Sequence, residues 1–113
     1  MKLERIFAQV ACSSLTESID WYTELFEREP DNLPMIGMAE WEHGHSGGLQ
    51  LVEDVDNAGS SAVTLMVADL DKTHARLEEA EIDTGEIEEG DYTRFVRLAD
   101  PDDNEVIVAT ENL

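Results

Sequence analysis

Residues 6–26 read IFAQVACSSLTESIDWYTELF, and residues 61–77 read SAVTLMVADLDKTHARL. In the first stretch Ala8, Val10 and Cys12 alternate with Phe7, Gln9 and Ala11, the period of a strand with two unlike faces. Ser14 then stands where a helix N-cap belongs, with Glu17 at capping-box spacing, so each side chain can serve a backbone donor at the helix start. Leu15, Ile19, Tyr22 and Phe26 follow as one apolar stripe at helical spacing. The second stretch repeats the plan: Ala62 to Ala68 as an apolar strand, Asp69 as a cap, then Leu70, His74 and Leu77 as the stripe. Setting Ser14 on Asp69 aligns Leu15 with Leu70, Ile19 with His74 and Tyr22 with Leu77. The chain reads as two copies of one unit, about residues 1–56 and 60–113, within a single domain.

Outward from the first helix, Pro30 and Asp31-Asn32-Leu33-Pro34 stop it, because proline cannot continue a hydrogen-bonded helix and pushes its predecessor towards extended backbone. Short strands follow around Met35 to Glu42 and Gly48 to Glu53, joined by the small residues of His43-Gly44-His45-Ser46-Gly47. In the second unit, Tyr92 to Ala99 and Glu105 to Thr110 read as strands joined by the turn Asp100-Pro101-Asp102-Asp103-Asn104. Each unit is thus a strand, a helix and about three strands, with Val10, Cys12, Ile19, Phe26, Leu51, Leu65, Leu77 and Val106 expected in the core.

Composition narrows the function classes. With 42% hydrophobic and 30% charged residues, the 113-residue chain has the makeup of a folded domain. Its 27 acidic residues against 7 basic ones give a formal net charge of −20, a field that repels phosphate backbones and anionic lipid. Nucleic-acid and membrane partners are therefore not expected. The acids are spread along the chain, which is compatible with a high-salt origin without establishing one. No apolar run nears the roughly 20 residues needed to span a bilayer, and Glu4 sits where a signal peptide would begin its apolar region, so a cytoplasmic location is expected. Cys12 is the one cysteine, so no intrachain disulfide can form; its place on an apolar strand face points to a buried structural thiol.

Two βαβββ units in tandem, the Trp21-Tyr22 pair on the first helix, the Val67-Ala68-Asp69-Leu70-Asp71 junction and the Asp100-Pro101-Asp102-Asp103-Asn104 turn together resemble the vicinal oxygen chelate superfamily, the glyoxalase, bleomycin-resistance and extradiol-dioxygenase group. Asp103 departs from the glycine usual in that turn. The stretch Pro34 to Trp41 is similar to a segment of bacterial members for which the resemblance implies no substrate. The resemblance implies an α+β fold in which the tandem units curl a mixed sheet into a cup, with helices on the outer face and a site inside. It also implies that metal-dependent members carry His, Gln or Glu ligands on the first and last strand of each unit. Here those positions fall on Phe7, Ala62, Gln50 and Ile107, and only Gln50 has a donor atom; shifting the first strand by two residues would recruit Gln9. A protein-held divalent cation normally takes at least three protein ligands, so neither a metal nor another cofactor is expected.

Gln9, Gln50 and Thr64 should face the cup, either orienting a ligand by hydrogen bonds or merely meeting water in an open groove. Arg97 shares a face with Phe95; it can pair with Glu40 or Glu105, or hold a ligand carboxylate bidentately. Trp41 either packs under the helix or lines the cup as an aromatic wall. With Phe7 and Ile107 these make up the candidate ligand-binding set; no catalytic residue can be named. His43 and His45 have chelating spacing, but their glycine-rich setting points to an exposed turn, and His74 reads as a packing histidine.

Three functions compete. The first is a metal-free protein that binds a small organic ligand in a cup completed by homodimerisation. The second is a metal-dependent lyase, isomerase or dioxygenase of the glyoxalase type, and the third an interaction module without small-molecule chemistry. One fold hosts many activities, so the resemblance supplies no substrate and does not decide whether any catalysis occurs.

Overall fold

The computed structural model describes residues 1–112. Strand β1 (Ile6–Cys12) leads through Ser14 into helix α1 (Leu15–Phe26), followed by β2 (Met38–His43) and β3 (Gly47–Glu53). The second unit runs β4 (Ala62–Met66), α2 (Leu70–Glu79), β5 (Glu88–Glu89), β6 (Thr93–Ala99) and β7 (Glu105–Glu111). Both caps form: Ser14 Oγ accepts from the Glu17 amide and Asp69 Oδ1 from the Lys72 amide. The next amide of the helix start, that of Leu15, donates to Glu53 Oε1 at 3.3 Å.

The two units build two mixed sheets, ordered β1-β3-β2 and β4-β7-β6-β5. In each, the first strand runs parallel to the last, β1 with β3 and β4 with β7, and antiparallel pairs complete the sheet. The architecture is the α+β arrangement expected, with α1 packed on β2 and β3, and α2 on β6 and β7. The strand that directly follows the helix in each unit is the part that shrinks. In the first unit only an isolated bridge, Asn32 to Glu40, remains, because Pro30 and Pro34 bracket the segment and supply no amide donors. In the second unit it is the two-residue β5.

Val10, Cys12, Leu51, Leu77 and Val106 are buried under the helices as expected. Ile19, Phe26 and Leu65 are only partly buried and pack against that core; the inward stripe of α1 centres on Ser18, Tyr22 and Leu25. Burial pushes the Cys12 thiol above its usual pKa, which keeps it protonated and unreactive.

The seam between the units is held by the turn after β6. Asn104, 1% exposed, accepts the Gly59 and Ser61 amides on Oδ1 and donates through Nδ2 to the Ala11 carbonyl and to Asp100 Oδ2. Asp100, 4% exposed, also takes the Tyr22 hydroxyl at 2.8 Å and the Asp102 and Asn104 amides. One turn of the second unit thereby fastens β1 and α1 of the first. Asp103 occupies its left-handed position at φ 66°, strained for a non-glycine residue. A second tie lies at the C-terminus of α1, where the Arg76 guanidinium of α2 donates to the carbonyls of Glu24 and Leu25.

Candidate functional site

On the sheet face away from the helices, the register decides which side chains meet. Gln9 lies beside Gln50, and Thr64 beside Ile107, whereas Phe7 stands level with Gly48 and Ala62 with Glu105. The register therefore favours the alignment shifted by two residues, which brings Gln9 to the side of Gln50. Gln9 Nε2 donates to Gln50 Oε1 at 3.0 Å, and Gln50 Nε2 donates to Glu40 Oε1 at 2.7 Å. The other Glu40 oxygen accepts from Asn32 Nδ2 at 2.9 Å, which also reaches Glu42 Oε1 at 3.2 Å. Glu42 in turn pairs with Arg5, whose guanidinium lies over the Phe7 ring at 5.4 Å. A continuous polar line crosses the first sheet, from exposed Gln9 to a Glu40 side chain in a residue only 7% exposed.

The second sheet presents a different surface. Arg97 bonds Glu88 Oε2 at 3.1 Å and Glu105 at 3.4 Å, and its guanidinium lies 5.3 Å from the Phe95 ring centroid. Glu105 is one of the partners expected for Arg97, but Glu40 is not the other; it serves the amide line of its own sheet. Thr64 is exposed and Ile107 partly buried.

Trp41 lies on the helix side. It is 2% exposed, contacts the Tyr22 and Phe26 rings, and donates its indole N–H to the Arg28 carbonyl at 2.9 Å. It alternates with Glu40 along β2, so the strand period that turns Glu40 to the open face turns Trp41 under α1. It does border a cleft of about 640 Å³ between the units, lined also by Phe26, Val63, Leu65 and Met66. His43 and His45 are exposed in the turn, and His74 is partly buried, with Nε2 3.0 Å from the Gly85 carbonyl.

Asn32 is a functional candidate that the sequence reading did not place, and Glu40 entered it only as a partner for Arg97. The signal for Glu40 is a single acid between Ala39 and Trp41, both buried; Asn32 carried none, because its partner is set by an isolated bridge.

Among solved structures, the chain is 29% identical to the glyoxalase / bleomycin resistance protein from Catenulispora acidiphila DSM 44928, matching over 96% of this chain and 98% of that one with a TM-score of 0.85. The chain has the fold of the vicinal oxygen chelate superfamily. At 20% identity it also superposes on TnmS3, an antibiotic binding protein from Streptomyces sp. CB03234, over 99% of this chain and 97% of that one (TM-score 0.81). At 18% identity it matches a lactoylglutathione lyase from Agrobacterium tumefaciens over 93% and 91% (TM-score 0.76). Those two likenesses are of fold. No protein-family model matches the sequence, and no curated protein does.

Against the superfamily's metal chemistry, the donors of this chain fit poorly. The amides of Gln9 and Gln50 are committed to each other and to Glu40, and Thr64 faces an isoleucine rather than a second donor. Among the described residues no three His, Cys, Asp or Glu side chains converge. No helix among them is long and apolar enough to cross a membrane.

Proposed function

We propose that this protein binds a small organic molecule without a resident metal, on the open face of its sheets, and that a second copy of the chain closes the site. The observation that carries the reading is the amide–carboxylate line Gln9–Gln50–Glu40 beside the half-buried Phe7, polar orienting groups next to an apolar wall. The antibiotic-binding neighbour, which shares the fold, supports this reading. Dimerisation is supported by the sheet edges. Strands β1 and β4 are the terminal strands of their sheets and approach each other where the Ala11 amide donates to Ser61 Oγ, while Ile6 and Met66 stay exposed at 65% and 54%. The net charge of −20 opposes self-association at low salt and favours cations over anions, so the ligand is a small apolar or cationic molecule.

Sedimentation at low and high salt tests the assembly: a dimer that strengthens with salt is expected, and a monomer under both conditions removes the closed site. Metal analysis after dialysis tests the chemistry. A stoichiometric metal that disappears in Gln50→Ala would replace this reading with the metal-dependent lyase, isomerase or dioxygenase.

A further inference from the structure

The side-chain hydrogen bonds across the first sheet converge on Glu40. A carboxylate only accepts, so Glu40 forces the two amides that reach it, from Gln50 and Asn32, to present their N–H groups. With its nitrogen held by Glu40, Gln50 must turn its carbonyl oxygen towards Gln9. Gln9 must then spend an N–H on Gln50, at 3.0 Å, which leaves its own carbonyl oxygen at the end of the line. The reverse orientation of Gln50 would bring two oxygens together at the 2.7 Å that now separates Gln50 from Glu40. Among the described residues no donor reaches Gln9 Oε1, and Gln9 is exposed on the open face.

We infer that Glu40 is a positioning residue that makes Gln9 Oε1 the fixed acceptor of the site, so that the ligand is selected for a hydrogen-bond donor, a hydroxyl, amide N–H or ammonium, at that point. This rests on the ligand-binding reading above. The charge lies two links from the ligand, in a residue 7% exposed, yet it sets the polarity at the exposed end, because each amide has one donor side and one acceptor side. An uncharged residue at position 40 would let the whole line flip, and Gln9 would then offer a donor and an acceptor without preference. The negative field of the chain adds to the preference for donors.

Phenol and anisole test this, being neutral and close in shape, with only phenol carrying an O–H. Titrations followed through the side-chain amide resonances of Gln9 and Gln50 should show phenol binding about fivefold more tightly than anisole, the value of one neutral hydrogen bond. In Glu40→Gln the ratio should fall towards one, a change of preference between two probes that loss of fold, which would abolish binding of both, does not produce. Gln9→Met removes the acceptor without touching the buried carboxylate and should collapse the ratio in the same way. Equal binding of the two probes in the wild-type chain, or a ratio unchanged in both variants, overturns the inference and leaves ligand binding standing. If neither probe moves any resonance of Phe7, Gln9, Gln50 or Thr64, the ligand-binding reading itself falls, and this one with it.

Discussion

The two units share one plan and spend their polar residues differently. In the first, the turn between β2 and β3, His43 to Ser46, is exposed throughout, while the sheet face carries Glu40 and its amides. In the second, the corresponding turn holds buried Asp100 and Asn104, while the sheet face carries an exposed ion-paired arginine over a phenylalanine. The first unit has buried its polar chemistry where a ligand can meet the end of it. The second has buried its polar chemistry in the seam, where it joins the units. The repeat supplies the architecture, and the different use of each turn and each sheet face separates the amide line from the clasp.

The widest test of that division is at the turns. Asn104→Ala should cost about 3 to 5 kcal/mol in urea unfolding, because it strands two amides and a carbonyl in the seam and deprives Asp100 of a donor. His45→Ala, at the matching turn of the first unit, should stay within about 0.5 kcal/mol. Similar costs at both turns would break the comparison.

Next comes the Tyr22 hydroxyl, the one contact of the clasp made by α1. Burial first, and then the neighbouring Asp100 carboxylate, hold the phenol well above its usual pKa of 10.0. A folded-state pKa raised above the unfolded value contributes stability that is complete below about pH 10 and declines as pH rises beyond it, since only the unfolded chain ionises there. Tyr22→Phe should therefore cost about 1 to 2 kcal/mol at neutral pH and flatten the fall above pH 10. An alkaline limb unchanged in this variant would show that another group is responsible.

Much of this plan is legible in the sequence, and what is not has a common cause. Alternation along β1 and the caps Ser14 and Asp69 are local signals, and they mark the elements to within a few residues. The role of Asn104 is not local: the motif reads as a turn, and nothing within it says that its amide meets Ala11, 93 residues away. The pairing of Gln9 with Gln50 hides for the same reason, because the register of parallel strands 41 residues apart is set by packing. Face assignment fails only where both faces offer a use, as at Trp41, whose burial depends on where Tyr22 and Phe26 of α1 come to rest.

The two sheet faces should differ less sharply than the turns. Glu40→Gln should destabilise by about 1 to 2 kcal/mol, because two hydrogen bonds to a charged carboxylate become weaker bonds between neutral amides. Arg97→Gln should cost less than about 1 kcal/mol, its side chain being 52% exposed and its carboxylate partners nearly as open. Double-mutant cycles of Glu40 with Gln50 and of Arg97 with Glu88 measure both, and a larger coupling in the second pair would reverse the assignment of the first sheet as the ordered one.

The smallest effect compares two exposed carboxylates, one in each unit. Asp31 is held below the usual carboxylate range by the Arg28 guanidinium and then by the Glu42 backbone N–H, which donates to it at 2.7 Å. Asp71 is held low by Arg94 alone among its hydrogen-bond donors. Because both folded-state pKa values lie below the unfolded one, the stability each contributes is present above about pH 4 and is lost as pH falls through the depressed value. Salt separates them. The Asp71–Arg94 pair is an attraction between exposed charges and is screened, whereas a backbone amide bonded directly to Asp31 is much less so. At low salt both Asp31→Ala and Asp71→Ala should flatten the acid limb of the unfolding midpoint; at high salt only Asp31→Ala should still do so. An equal loss of effect for both variants would mean that the Glu42 amide adds nothing to Asp31, and that the segment tied to β2 in the first unit is held by its ion pair rather than by the backbone.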